Sequence, residues 1–201
     1  MSTALIIARL DRELAPRGFS RKKATWNRQH GSLVDVIDIQ VSKSGDAMTM
    51  NAGVLCRPIY STCWGRESKP FVEEPSCTIR ARVGQLLDNI DRWWDVGSES
   101  AADEMAECLG TQILPFLDRG QSFTAMRDWL TSTGLPSPKW PAPSIYFAIL
   151  QSRLGDMEGA CNTLAELESK ALGSWKTGAK EVAVRIGCDR AFTPARPAPL
   201  S

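Results

Sequence analysis

The chain has 201 residues, of which 43% are hydrophobic and 23% charged, with a formal net charge of +1 at neutral pH. That length can bury a substantial core, and the near-neutral balance gives no electrostatic reason for nucleic acid or an anionic membrane to be the main partner. No apolar run approaches the ~20 residues that cross a bilayer, and the early acidic residue in MSTALIIARLDREL argues against a signal peptide, so a cytoplasmic location is expected.

Residues 2–15 read as an amphipathic helix, capped by Ser2 or Thr3, with Ile6, Ile7, Leu10 and Leu14 at helical spacing and Pro16 and Gly18 as the stop. Phe19 is placed beneath that turn. Residues 1–35 hold seven basic and three acidic residues, a net +4. A solvated approach to the first strand is favoured over an anion or acidic-partner contact. Residues 24–28 (ATWNR) look like a strand, and residues 29–32 turn into the central element.

That element is DVIDIQVSKSGDAMTMNAGV, residues 35–54, which reads as two strands joined at Lys43–Asp46. Alternation puts Ile37, Ile39 and Val41 on one face with Met48, Met50, Ala52 and Val54, and Asp38, Gln40 and Ser42 on the other with Thr49, Asn51 and Gly53. The even loop sets Val41 opposite Met48, Ile39 opposite Met50, and Asp38 opposite Asn51. A slip by one residue would bury carboxylate and amide groups among aliphatics.

After Val54 periodicity is lost, and Arg57-Pro58, Trp64-Gly65, Lys69-Pro70 and Glu74-Pro75 punctuate a long irregular segment of the kind that forms binding loops or lids or is disordered. Residues 77–83 alternate again and are read as a fourth strand, or an extended segment docked on the sheet, carrying Arg80 and Arg82 on one side. From Gly84 the pattern is helical, with Trp93 and Trp94 at a helix end, one expected to be buried and one partly exposed. Residues 95–120 hold six acidic residues and one basic, a net −5. Ser122 caps a further helix stopped at Gly134. Residues 135–143 (LPSPKWPAP) are a linker or sharp corner. A helical pair follows: residues 144–154, Gly155 as stop, Asp156 as cap, then residues 159–170. Its pattern from Tyr146 to Leu164 is similar to a single tetratricopeptide unit, and one unit must pack on the main body because it cannot cover its own apolar face. Residues 176–186 read as a last helix, and residues 191–201 as a disordered tail.

The expected fold is therefore α+β: a small antiparallel sheet of about four strands packed against helices, followed by an all-helical C-terminal part. The expected units are an α+β domain over 1–134, a corner over 135–143, a helical appendage over 144–190 and the tail. Cys56, Cys63, Cys77, Cys108, Cys161 and Cys188 are scattered without a C-x-x-C pair, and their spacing matches no common zinc framework. Idle or buried thiols are favoured over metal or disulfides, and no cofactor is expected. A histidine-dependent nucleophile would need His30, so no catalytic residue is assigned.

The order of features resembles a known family. Gly18-Phe19 after an opening helix is followed by Trp26, by Gln40-x-Ser42, by Asn51-x-Gly53, by Arg80-x-Arg82-x-Gly84 and by Trp93-Trp94. Over residues 5–118 this set is similar to the bacterial family catalogued as domain of unknown function 4304. The resemblance implies bacterial origin and an α+β fold, supplies no catalytic residue, and points to an immunity-type role, because some relatives sit near toxin and immunity loci.

Asp38, Gln40, Ser42, Asn51, Arg80 and Arg82 converge if residues 77–83 join the same sheet. They form either a pocket whose arginines bind an anion or partner carboxylate, or a structural network in which Arg80 or Arg82 neutralises Asp38, since a covered carboxylate needs a partner. The network is favoured, and for Trp93 and Trp94 a core role is favoured over a stacking platform. With no activated nucleophile, metal site or phosphate loop, the sequence leans to a cytoplasmic binding protein of immunity type whose partner is another protein. The alternative is a small anionic ligand, bound or acted on at the polar sheet face.

Overall fold

A computed structural model of the chain describes residues 3–137 and 139–188. The expectations for a Ser2 cap, for residues 189–190 and for the tail at 191–201 lie outside them. Helix α1 (Thr3–Leu14) buries Ile6, Leu10 and Leu14 and ends in a 3-10 turn closed by Gly18. Gly18 has φ 83°, a left-handed conformation that costs glycine little.

Six strands form one antiparallel sheet: β1 (Ser20–Lys22), β2 (Thr25–His30), β3 (Leu33–Val41), β4 (Ala47–Cys56), β5 (Ile79–Arg82) and β6 (Trp94–Asp95). The order is β1-β2-β3-β4-β5, with β6 pairing β4 as well. Val41 stands opposite Met48, Ile39 opposite Met50, Ile37 opposite Ala52, Gln40 opposite Thr49 and Asp38 opposite Asn51, the register that face segregation demanded. Arg82 adds to Asn51, and Trp94 to Met48 further along β4. The sheet thus exceeds the expected four strands by β1 and β6, two short pieces too brief for their alternation to register in the sequence.

The apolar face, with Trp26, Ile37, Ile39, Met48, Met50 and Ala52, joins one core with α1 and with α4 (Ala101–Cys108), which continues through a π-helical turn at Leu109–Ile113 into α5 (Leu114–Arg119). On the opposite face Val34, Val36 and Leu55 pack beneath Val72 and Cys77 in a second, smaller cluster. The segment crossing that face is not wholly irregular, contrary to expectation. Its start is α2 (Arg57–Trp64), with Pro58 in the first turn and a left-handed Gly65 at the end. The proline and glycine that read as loop punctuation are here the two ends of a helix.

Helicity from Gly84 onward is also shorter than expected: α3 spans only Val83–Leu87, and residues 88–100 hold no helix. Trp94 therefore lies on a strand, not at a helix end. The C-terminal part is α6 (Phe123–Ser132), α7 (Pro141–Arg153), α8 (Met157–Lys170) and α9 (Ser174–Ile186). Ser122 caps α6 through the Ala125 N–H, and Asp156 caps α8 through the Gly159 N–H. Helix α7 packs on α2, α6 and α8, and α9 on α2 and α8. Two cysteines correct the expectation of idle thiols: Cys161 and Cys188 form a disulfide that ties the end of α9 to α8. No helix among the described residues is long and apolar enough to cross a membrane.

Candidate functional site

The predicted polar residues do not form one constellation. Three of them meet: Asn51 Nδ2 donates to Gln40 Oε1 at 3.2 Å, Arg82 Nη2 donates to the same oxygen at 3.1 Å, and Arg82 Nε donates to Asn51 Oδ1 at 3.2 Å. Arg82 also pairs with Asp91 at 2.7 Å, and its guanidinium lies 5.4 Å from the centre of the Trp93 ring, whose indole N–H donates to Asp91. This network draws Gln40 from β3, Asn51 from β4, Arg82 from β5 and the loop after α3 into one wall. The bond from Arg82 holds the Asp91 carboxyl below its ordinary pKa, and the Trp93 N–H adds to the effect.

The others go elsewhere. Asp38 accepts from Thr25 Oγ1 at 2.7 Å and meets neither arginine, so the expected neutralisation does not occur. Arg80 instead grips the buried Glu74 through two bonds of 2.7 and 2.8 Å, a fork that raises the guanidinium pKa. Ser42 sits in the hairpin turn with Ser44 and Asp46. Trp94 is buried and donates to Glu104 at 3.0 Å, while Trp93 is partly exposed, so the pair splits between interior and surface.

Two glycines make this wall buildable. A Cβ on Gly53 would meet Cys77 and the Ile79 carbonyl at 2.6–2.8 Å, and one on Gly84 would collide with the backbone of Ile90 and Arg92. Asn51-x-Gly53 and Arg80-x-Arg82-x-Gly84 therefore act together. The polar residues hold the neighbouring segments, and the glycines admit them.

Along β5 this wall faces a cleft of about 890 Å³. Its opposite side comes from Trp129 and Leu130 on α6, from Leu135 and Trp140 in the corner, and from Pro143 on α7. Trp129 closes part of the sheet edge by donating its indole N–H to the Arg80 carbonyl. Ile90 and Trp140, 63% and 56% exposed, stand at the cleft without cover. A second recess of about 260 Å³ shares Cys77, Arg80 and Pro143 with the first and extends it towards α2. Sequence reasoning found the β5 wall but missed this far side, because Leu135 and Trp140 lie in the proline-rich corner, where no periodicity tells which way a side chain faces.

A different buried charge went unnoticed. Asp35 lies on the apolar face, fully buried, and accepts from Arg28 Nε at 2.8 Å and Gln121 Nε2 at 2.9 Å, with His30 Nε2 at 2.9 Å. Arg28 also reaches Asp118 and lies over the Phe19 ring. His30 thus serves a structural carboxylate. The free cysteines are unsuited to nucleophilic chemistry: burial pushes the Cys63 thiol up to about 12 and raises those of Cys56, Cys77 and Cys108. Among the described residues no cluster of three or more His, Cys, Asp or Glu could hold a metal ion.

Compared with known families, residues 10–119, more than half of the chain, match the model for a domain of unknown function, DUF4304. No curated protein and no solved structure matches the chain.

Proposed function

The chain belongs to the DUF4304 family, whose description assigns no function, and we propose that it is a binding protein that holds a segment of a protein partner in the cleft along β5. The observation that carries this reading is the cleft itself, of about 890 Å³ and lined by mixed polar and apolar side chains, with Trp140 and Ile90 uncovered at it. Exposed aromatic and aliphatic groups around a concavity gain by leaving water on contact and supply the anchors that dominate such contacts. The arginines on the floor are already paired with Glu74 and Asp91, so they orient a partner more than they attract one. A toxin-neutralising role is one form of this reading. It does not rest on a cytoplasmic location, since a disulfide such as Cys161–Cys188 persists best in oxidising compartments.

The test compares wild type with the Trp140→Ala, Ile90→Asp double variant in affinity capture from the native cells. The protein retained is then purified and its Kd measured. Both side chains are more than half exposed, so the variant keeps the wild-type thermal midpoint. The expected result is one protein retained by wild type and bound at least about tenfold more weakly by the variant. Equal affinity for both chains overturns the cleft as the binding surface. Recovery of a small anion in place of a protein favours the second reading, a ligand pocket, to which the unpaired Arg66 in the α2 recess lends support.

A further inference from the structure

We infer that the recess at the α2 end of the cleft, where Arg66 stands among Tyr60, Trp64 and Tyr146, is a subsite for a carboxylate borne next to an apolar or aromatic group, as on an acidic side chain of the bound partner segment. The inference deepens the binding reading above and rests on it for the identity of the carrier.

The argument begins with which cations are spoken for. Arg80 forks onto Glu74, and Arg82 is shared among Gln40, Asn51 and Asp91. Arg57 donates to Ser68 and to the carbonyls of Lys69 and Pro70. Arg185 donates to the carbonyls of Thr62 and Cys63 and pairs with Glu181. Arg66 makes no hydrogen bond or ion pair among the described residues, yet it lines the recess. The adjacent Glu67 does not line it. The recess therefore carries one uncompensated positive charge, since Glu74 cancels Arg80, and that surplus matches a monoanion better than a dianion.

Fold geometry puts that charge there. Gly65, with φ 63°, ends α2 in a left-handed turn and releases Arg66 from the helix direction. A helix C-terminus is a poor neighbour for an anion, because its free carbonyls carry partial negative charge. Here Arg185 takes the carbonyls of Thr62 and Cys63 and packs against Gly65, so that repulsion is met from α9. The apolar walls are fixed too: the Trp64 indole N–H donates to the Tyr146 hydroxyl at 2.9 Å, and Trp64 meets Trp175 edge to face at 5.8 Å. Guanidinium and carboxylate match in planar, two-bond geometry, and the rings of Tyr60, Trp64 and Tyr146 beside Arg66 offer an apolar surface to the group that bears the carboxylate.

The test uses the full chain, 15N-labelled, with the indole N–H resonances of Trp64 and Trp140 as reporters. Phenylacetate is the probe, phenylacetamide the neutral control and phenyl phosphate the dianionic one. Phenylacetate should shift Trp64 saturably at up to about 10 mM and leave Trp140 in place, with Arg66→Gln weakening it at least about tenfold and Arg66→Lys retaining part of the affinity. Both variants replace an exposed side chain, and unchanged thermal midpoints confirm the fold. Equal binding of phenylacetamide, a loss under about twofold in Arg66→Gln, tighter binding of phenyl phosphate, or no saturable shift would each overturn the inference. The outcome separates from that of the capture experiment. Phenylacetate bound through Arg66, with Trp140→Ala, Ile90→Asp harmless, leaves the subsite standing and removes the proposed partner surface; the reverse pattern does the opposite.

Discussion

The two faces of the sheet treat charge in opposite ways. On the face turned to α1 and α4, Asp35 lies among aliphatic side chains, is fully buried, and is met by three separate groups from Arg28, His30 and Gln121 within 2.9 Å. On the other face Gln40, Asn51 and Arg82 share longer bonds of 3.1–3.2 Å around the amides, Arg82 pairs with the exposed Asp91 at 2.7 Å, and Asn51, Arg82 and Asp91 line the cleft. A buried charge without compensation costs several kcal/mol, so its environment must be complete. A network that water can reach tolerates looser geometry and can trade a bond for a ligand. Charge inside the apolar face thus needs a complete set of partners, while the Arg82–Asp91 pair on the other face keeps its place at the edge of the cleft.

Four substitutions or titrations break or sharpen that contrast. Asp35→Ala should be the most damaging, costing about 3–5 kcal/mol, because it removes the buried partner of the largely buried Arg28 and leaves it only the exposed Asp118. Urea unfolding measures it, and a loss under about 1 kcal/mol would make the Asp35 cluster no more demanding than the open face. Ile39→Ala, which removes a 5% exposed side chain from the apolar face, should cost about 2–5 kcal/mol. A shift in the urea midpoint well below that range would remove Ile39 from the core.

Thr49→Val should act in the other direction. Thr49 lies on the polar face, is fully buried, and its hydroxyl has no hydrogen-bond partner among the described residues. Replacing it with an isosteric methyl should leave stability unchanged or raise it by about 1 kcal/mol. A clear loss would reveal a bond that the hydroxyl makes in solution. The smallest effect concerns pH. Asp91 has its pKa lowered first by the bond from Arg82, so its contribution is present above the ordinary carboxylate value of about 3.9 and is lost as pH falls through the depressed one. In an NMR titration the Asp91 carboxyl should titrate below that value and move the Trp93 indole resonance with it, and Arg82→Gln should bring it back up. An unchanged midpoint in the variant would remove Arg82 as the cause.

Several of these features were legible in the chain itself. Alternation from Ile37 to Val54 determined the hairpin, its register and the two faces, because a one-residue slip would bury Asp38 and Asn51 among methionines. Helical spacing in α1, the Ser122 and Asp156 caps and the Gly134 and Gly155 stops were equally local signals. The tertiary structure decided the rest, where meaning depends on residues far apart in sequence. Pro58 and Gly65 could punctuate a loop or bound a helix, and packing of Ile59 and Cys63 into the core settles it as α2. Asp35 reads as the polar start of a strand until Gln121, 86 residues away, arrives to bond it. The partners of Arg80 and Arg82 were misread for the same reason: alternation tells which face a side chain takes, but only the path of the chain through Glu74 and Asp91 determines what charge waits there. That path also leaves Arg66 with no counterion among the described residues and sets it, with Trp64 and Tyr146, at the end of a cleft that no local pattern announces.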